Sequence, residues 1–273
     1  MEKINYSGMR STIGEYIHLA SRINPPFICI EADAQWLMRC CFQYHFSYTS
    51  VLLKILAHVQ KKHPIMNAIL ARDIIRKKIF LPDSVDISVA IEKTHKGRTV
   101  VLIPVVREVN TKSIEDISSE IKYLSTIPFD KMPNIRWIKL LNLDLDFLKY
   151  LTMRVICQFP RLYNLFFGTI GFTNLGKYGI THFYPLWINT TVFGFGTIEE
   201  KPVVRNGQIT IAPMIYMTIA FNHRILDGST ASEILAEVKR TIEDAEFYKL
   251  VAGNSNLDQT DKHSERTVCV GGD

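Results

Sequence analysis

Met217-Thr218-Ile219-Ala220-Phe221-Asn222-His223-Arg224-Ile225-Leu226-Asp227-Gly228 decides how the rest of the chain is read. Ile215, Met217, Ile219, Phe221 and His223 recur at every second position, so a β-strand through them carries all five side chains on one face. The pattern brings an imidazole to the end of an apolar strand face, just ahead of a glycine turn at Gly228 and a helix. Two readings of His223 stand side by side. One is a core or capping histidine. The other is a general base, because a neutral, partly desolvated imidazole accepts a proton near neutral pH.

Upstream, Arg205-Asn206-Gly207-Gln208 reads as a hairpin, since Asn-Gly suits the positive φ angles of a two-residue type I′ turn. Strand-like segments precede it around Gly171–Thr173, Trp187–Phe193 and Thr197–Val204. Downstream, residues 230–247 read as a helix with a Thr230/Glu233 capping box and Ile234, Leu235, Val238 and Ile242 facing inward. Nearer the start, residues 9–22 form a helix stopped by Asn24-Pro25-Pro26, and Phe27–Ala32 is a short strand. Ala34–Cys41 and Val51–His63 are helical, the second with an apolar stripe through Val51, Leu52, Ile55, Leu56 and Val59. Asp86–Glu92 and Val100–Val106 read as buried strands about a Lys96-Gly97 turn, with Pro104 marking an edge or bulge. Ser113 and Asp116 cap a helix carrying Ile114, Ile117, Ile121 and Leu124. Residues 126–168 are irregular and apolar, and 251–273 form a polar tail. The order predicts one α/β domain over residues 1–250.

The composition is that of a soluble globular protein. Of 273 residues, 47% are hydrophobic and 22% charged, which excludes disordered, collagen-like and coiled-coil chains. A net charge of +5 favours an anionic ligand without implying nucleic acid. The five cysteines (Cys29, Cys40, Cys41, Cys157, Cys269) show neither a CxxC nor a Cys/His metal spacing, so reduced thiols in the cytoplasm are expected, with no metal. No secretory signal is visible, and charges interrupt the longest apolar stretch, so no membrane span is expected.

His223, Asp227 and Gly228 together spell HxxxDG, as HRILDG, between a strand and a helix. In that setting the chain resembles the catalytic domain of 2-oxoacid dehydrogenase acyltransferases (the E2 component) and, more distantly, chloramphenicol acetyltransferase. HxxxDG alone is modest and occurs also in peptide-synthetase condensation domains. Further segments follow the E2 domain in order: Ser7-Gly8-Met9-Arg10, Pro26-Phe27 into Glu31-Ala32-Asp33, Val51-Leu52-Leu53-Lys54 through His63-Pro64-Ile65-Met66-Asn67-Ala68, Ile87-Ser88-Val89-Ala90, Val101 to Arg107, Phe172-Thr173-Asn174-Leu175-Gly176, and Gly196 to Val204. The resemblance covers residues ~7–245, with 126–168 a divergent apolar insertion.

The resemblance implies a chloramphenicol acetyltransferase-like two-layer sandwich, a mixed β-sheet flanked by helices, assembled as a homotrimer with the active site between subunits. It implies that His223 is the base and that Thr173, standing where the family has serine, gives the oxyanion its hydroxyl. Asp227 holds the loop through an ion pair with Arg10 or Arg224, while Gly228 and Asn174 support the site. Asn222 stands where the family commonly has aspartate. Acyl-CoA is then a substrate rather than a resident cofactor. The sequence holds no lipoyl or subunit-binding domain, so a free-standing enzyme is expected, acting on a small-molecule or carrier-protein-bound acceptor. Two alternatives are a transacylase for dihydrolipoamide on a separate lipoyl protein and a catalytically silent CoA-binding or scaffold oligomer. Segment 126–168 reads either as a lid or acyl pocket or as an extra helical hairpin. The clusters Lys54/His58/Lys61/Lys62 and Arg72/Arg76/Lys77/Lys78 read either as contacts for CoA phosphates or an acidic carrier, or as solvated helix faces.

Overall fold

The computed structural model describes residues 9–73, 76–95, 97–132 and 146–252. In chain order the helices are α1 (Met9–Ser21), α2 (Gln35–Tyr44), α3 (Tyr48–Lys62), α4 (Ile114–Thr126), α5 (Asp146–Ile156), α6 (Pro160–Phe167), α7 (Gly228–Glu243) and α8 (Ala245–Ala252). The strands are β1 (Phe27–Asp33), β2 (Ile69–Asp73), β3 (Arg76–Phe80), β4 (Ile87–Val89), β5 (Ile91–His95), β6 (Arg98–Leu102), β7 (Val105–Val106), β8 (Ile170–Asn174), β9 (Thr191–Arg205) and β10 (Gln208–Phe221).

Six strands make the main sheet in the order β1-β10-β9-β8-β4-β7, and β2-β3 and β5-β6 form separate hairpins. β8 runs parallel to β4 and β9, while β10 is antiparallel to both of its neighbours, β1 and β9, so the sheet is mixed. The period-2 pattern splits each central strand between two faces. Phe193 and Phe195 of β9, with Ile215, Met217, Ile219 and Phe221 of β10, enter one large core with the apolar sides of α2, α3, α4 and α7. Val192 and Ala220 point to a smaller core with Tyr16 of α1, Met153 of α5 and Tyr163 of α6. The helix layer against the sheet is the α/β sandwich anticipated above. Each fully buried Leu, Ile or Phe contributes about 1.5–3 kcal/mol, so the α3 stripe alone fixes that helix to the sheet.

Local chemistry set the boundaries. Ser113 and Asp116 form the reciprocal cap that begins α4. Asn206 and Gly207 take φ +50° and +76°, the turn that Asn-Gly demands between β9 and β10. Three expectations are corrected. The segments Trp187–Phe193 and Thr197–Val204 are not two strands, because β9 runs unbroken from Thr191 through Gly194 and Gly196. Those glycines stay in the strand because the 180–185 loop lies over them, with the Phe183 ring against Gly194 and the Ile180 carbonyl accepting from the Thr197 amide at 2.8 Å. Asp86–Glu92 and Val100–Val106 each divide, at Ala90 and at Ile103-Pro104, giving one piece to the main sheet and one to the β5-β6 hairpin. The last helix starts at Gly228 with Asp227 at its N-cap and without the Thr230/Glu233 box, and it breaks at Asp244, whose carboxylate accepts from the Glu246 amide to open α8.

Cys29, Cys40, Cys41 and Cys157 are free thiols; Cys269 and the 253–273 tail lie outside the described residues. No helix among the described residues is long and apolar enough to cross a membrane, and no three of their His, Cys, Asp or Glu side chains cluster as a metal site would.

Candidate active site

β10 ends at Phe221, two residues before the histidine. The chain then folds back on Asn222, whose carbonyl accepts from the amides of Ile225 and Leu226 at 2.9 and 3.1 Å. The side chain of Asn222 is buried, and its Oδ1 accepts from both the Arg224 amide and the Arg224 Nε, each at 3.1 Å. Asn222 thus ties the loop without a charge. A histidine two residues past a buried strand residue would reach the core only if the strand continued, and it does not. His223 is expelled instead: 59% of its side chain is exposed, and its ring meets only the edge of the core at Phe221, 5.7 Å between centroids. The core-histidine reading is therefore excluded.

Asp227 is 83% exposed and faces His223, with Oδ1 3.7 Å from Nδ1. That is an ion-pair approach rather than a hydrogen bond, and it orients the ring so that Nε2 points away from the carboxylate. Because the Asp227 side chain turns to His223, it leaves the amides of α7 uncapped. Arg224 donates its Nε to Asn222 and forms no ion pair with Asp227 among the described residues; Arg10 lies in the first turn of α1, and its side chain lies outside the described residues. Gly228 is the first residue of α7, has no positive φ, and has open space where a Cβ would go, so this chain does not need glycine there for a tight turn.

Thr173 sits on β8, 8% exposed. Its hydroxyl has no hydrogen-bond partner among the described residues. Next to it, the Asn174 Oδ1 accepts from the Gly176 amide at 2.8 Å and so bends the chain out of the strand. Thr173 lines an apolar cavity of about 310 Å³ with Ile13, Tyr16, Met153, Ile156 and Phe167. Sequence reasoning had no signal for this cavity beyond the apolar content of 126–168, whose described part contains α5 and α6.

The register keeps the two groups apart. Thr173 and Thr218 both pair with Gly194, so they lie in one row, two strand spacings or about 10 Å apart. Phe221 is three residues further along β10, about 10 Å, and His223 lies beyond it. Within one chain the imidazole and the threonine hydroxyl are on the order of 15 Å or more apart and cannot act on one atom.

The basic clusters divide. Lys54 Nζ donates to the carbonyls of Val109, Asn110 and Lys112, Lys62 pairs with Glu237 at 2.5 Å, and His58 packs edge-on to Phe247, so the first cluster fastens α3 to its neighbours. Burial pushes the Lys54 ammonium below the usual lysine range, as that role would. In the second, Arg72 and Lys77 line a cavity that also reaches Asn222 and Arg224.

A second anchoring point escaped the sequence reading. Asp86, 4% exposed, accepts from Ser84 Oγ, Arg107 Nη1, Asn164 Nδ2 and the Glu108 amide, and Arg107 also donates to the Asn164 carbonyl at 2.8 Å. It clamps α6 to the main sheet immediately before β8.

A family model described as 2-oxoacid dehydrogenases acyltransferase (catalytic domain) matches residues 1–128 and 164–250. The dihydrolipoyllysine-residue acetyltransferase component of the Bacillus subtilis (strain 168) pyruvate dehydrogenase complex is 29% identical over 212 residues, 76% of this chain and 40% of that protein. The mitochondrial succinyltransferase component of the Saccharomyces cerevisiae 2-oxoglutarate dehydrogenase complex is 31% identical over 202 residues, covering 73% of this chain and 36% of that protein. The chain thus spans about two fifths of the length of these curated relatives. Among solved structures, a probable dihydrolipoamide acetyltransferase from Listeria monocytogenes 4b F2365 superposes with TM-score 0.67 at 20% identity, covering 90% of this chain and 95% of that one. A chloramphenicol acetyltransferase gives 0.52 at 13% identity, covering 82% and 94%, so the shared fold extends to it. The match over most of its residues settles the family: the chain belongs to the 2-oxoacid dehydrogenase acyltransferases, as a catalytic domain.

Proposed function

We propose that this chain transfers an acyl group between coenzyme A and an acceptor thiol, with His223 as general base and Thr173 of a neighbouring copy as the donor to the oxyanion. One observation carries the reading: an exposed His223–Asp227 pair and an unpartnered Thr173 hydroxyl sit too far apart to serve one chain, as two halves of a shared site would. The catalytic domain is residues 1–250, assembled as a homotrimer, and coenzyme A passes through as substrate.

His223 Nε2 takes the proton of the acceptor thiol while Asp227 steadies the imidazolium that forms. The thiolate adds to the carbonyl carbon of the acyl-CoA thioester, and the oxygen gains the charge that Thr173 Oγ1–H stabilises. The intermediate collapses by breaking the carbon–sulfur bond to coenzyme A, whose thiolate recovers the proton from His223. The acyl chain lies in the apolar cavity beside Thr173.

The names of the relatives favour a dihydrolipoyl thiol carried on a lysine as acceptor, ahead of the small-molecule acceptor expected from sequence. A small or carrier-bound acceptor remains the second reading, favoured by the 129–163 stretch that the family model leaves unmatched and whose Met132, Met153 and Ile156 wall the cavity. Free dihydrolipoamide and an acyl-CoA series, followed by release of CoA thiol, test both. Wild type transfers to the dithiol, and His223→Ala lowers turnover by on the order of 10²–10⁴-fold with an unchanged circular dichroism spectrum. Full activity in His223→Ala overturns the reading.

A further inference from the structure

We propose that the open cavity beside the His223 loop, about 240 Å³, is a binding site for an oxyanion, a carboxylate or a phosphate, carried by one of the transferred substrates. The proposal rests on His223 being the base only for its role in catalysis; anion binding stands or falls by itself. Five basic side chains converge there: Arg22 from the end of α1, Arg72 and Lys77 from β2 and β3, Arg154 from α5, and Arg224 from the loop itself. Among the described residues no acidic side chain lines the cavity, and none of the five forms an ion pair.

Two features are unfavourable unless something occupies the space. Arg72 and Lys77 are direct cross-strand partners in β2-β3, and like charges set opposite one another destabilise a hairpin. The hairpin is nevertheless held in place, with the Arg72 amide donating to the Gln158 carbonyl at 2.9 Å just past α5. Tyr150, which lines the same cavity, has a fully buried hydroxyl with no hydrogen-bond partner, while the Arg22 guanidinium lies 5.2 Å from its ring centroid. An oxyanion would neutralise the facing cations, and charge-assisted hydrogen bonds from guanidinium groups are among the stronger ones a protein makes. Arg224 commits only Nε to Asn222, so its other N–H donors are available.

The position names the ligand class. Asn222 is part of the cavity wall, so an anion seated here lies next to the base. Tyr150, Arg154 and Gln158 come from the stretch that the family model does not match, so this wall lies outside the part the chain shares with that model. The volume admits a small oxyanion-bearing group and excludes a whole nucleotide.

Thermal-shift and calorimetric titrations with sodium phosphate and with sodium succinate, each against sodium chloride at matched ionic strength, test the site. Stabilisation by at least one of them above chloride, and an at least tenfold rise in Kd in both Arg154→Gln and Lys77→Gln, is expected; both side chains are exposed, so both variants fold. His223→Ala keeps anion binding while losing transfer, which separates failure of the site from failure of the proposed base. In kinetics, a preference for succinyl-CoA over butyryl-CoA that Arg154→Gln abolishes identifies an acyl carboxylate. A KM that rises with dephospho-CoA in wild type but not in Arg154→Gln identifies the coenzyme's phosphate. No stabilisation beyond chloride, or equal Kd in wild type and both variants, overturns the proposal.

Discussion

The sharpest perturbation is to break the two halves of the proposed site in different copies. His223→Ala removes the base, and Thr173→Val removes the hydroxyl while keeping the β-branched shape on β8. Alone, each variant falls far below wild type: about 10²–10⁴-fold for the base and about 10²–10³-fold for the oxyanion donor. The register sets what their mixture does. One chain holds the two groups on the order of 15 Å or more apart, so on the proposed reading each site draws His223 from one copy and Thr173 from the next. In a closed ring mixed at random, a site has both intact groups with probability ½ × ½, so activity recovers to about one quarter of wild type. If the two variants carry different affinity tags and only doubly tagged trimers are kept, every ring has one competent site of three, or about one third of wild-type activity. The assay is CoA-thiol release by the purified mixed species, with size-exclusion chromatography to confirm the ring. Mixed trimers no more active than the better single variant would show that the groups do not meet across an interface.

Asp86→Ala should be costly, because it strands the Glu108 amide and Arg107 together and releases α6; about 3 kcal/mol of stability is expected to go, read as a lowered urea midpoint at constant slope, and a loss under 1 kcal/mol would contradict the clamp. The thiols predict an alkaline limit. Burial pushes Cys40 up to about 11, and Cys41 and Cys157 to about 12, so the folded state holds these protons more tightly than the unfolded chain does. Their contribution is fully present below the unfolded value near ~8.5 and is lost as pH rises from there toward 11–12. Urea midpoints at pH 8 and pH 10 check it, and mass-spectrometric mapping of iodoacetamide adducts at pH 8 should find exposed Cys29 modified well before the other three. Equal labelling of all four would refute the burial.

Much of the frame was legible because it rests on short-range chemistry. The Ser113/Asp116 cap, the Asn206-Gly207 turn and the α3 stripe each state their structure within a few residues, and the fold follows from joining them. Reading failed where distant partners decide. Gly194 and Gly196 look like a strand break until the loop that lies on them is seen, and Thr230/Glu233 looks like a cap until Asp227 takes the N-cap position without capping. Alternation of apolar residues carried His223 onto a core face, but the strand's end at Phe221 is fixed by Asn222 turning its carbonyl and side chain to the loop, a local hydrogen-bond choice that periodicity does not encode. Asp86 looked like an ordinary strand-flanking acid, because its partners Arg107 and Asn164 lie 21 and 78 residues away. Of the site, the residue types were readable and the local course of the 222–227 loop that carries His223 was not.

The unmatched segment changes the chemistry of the site through one helix with two working sides. On α5, Tyr150 and Arg154 are four residues apart and, with Cys157 and Gln158 just beyond, border the cationic cavity; Met153 and Ile156, offset around the helix, border the apolar one. The same element thus separates the proposed seat for negative charge beside the His223 loop from the proposed seat for an apolar chain beside Thr173. Its attachment is unequal. The cationic side is tied through the Gln158 carbonyl to β2, whereas the apolar side depends on Met153 and Ile156 packing and on α6 being held by Asp86. Loosening α6 should therefore disturb chain selection at Thr173 before it disturbs the anion seat. In a trimer that pairs His223 of one copy with Thr173 of the next, the α5 helices of both copies face the same reaction, each offering a different surface. A family scaffold can in this way acquire a new substrate preference while keeping the histidine base in place.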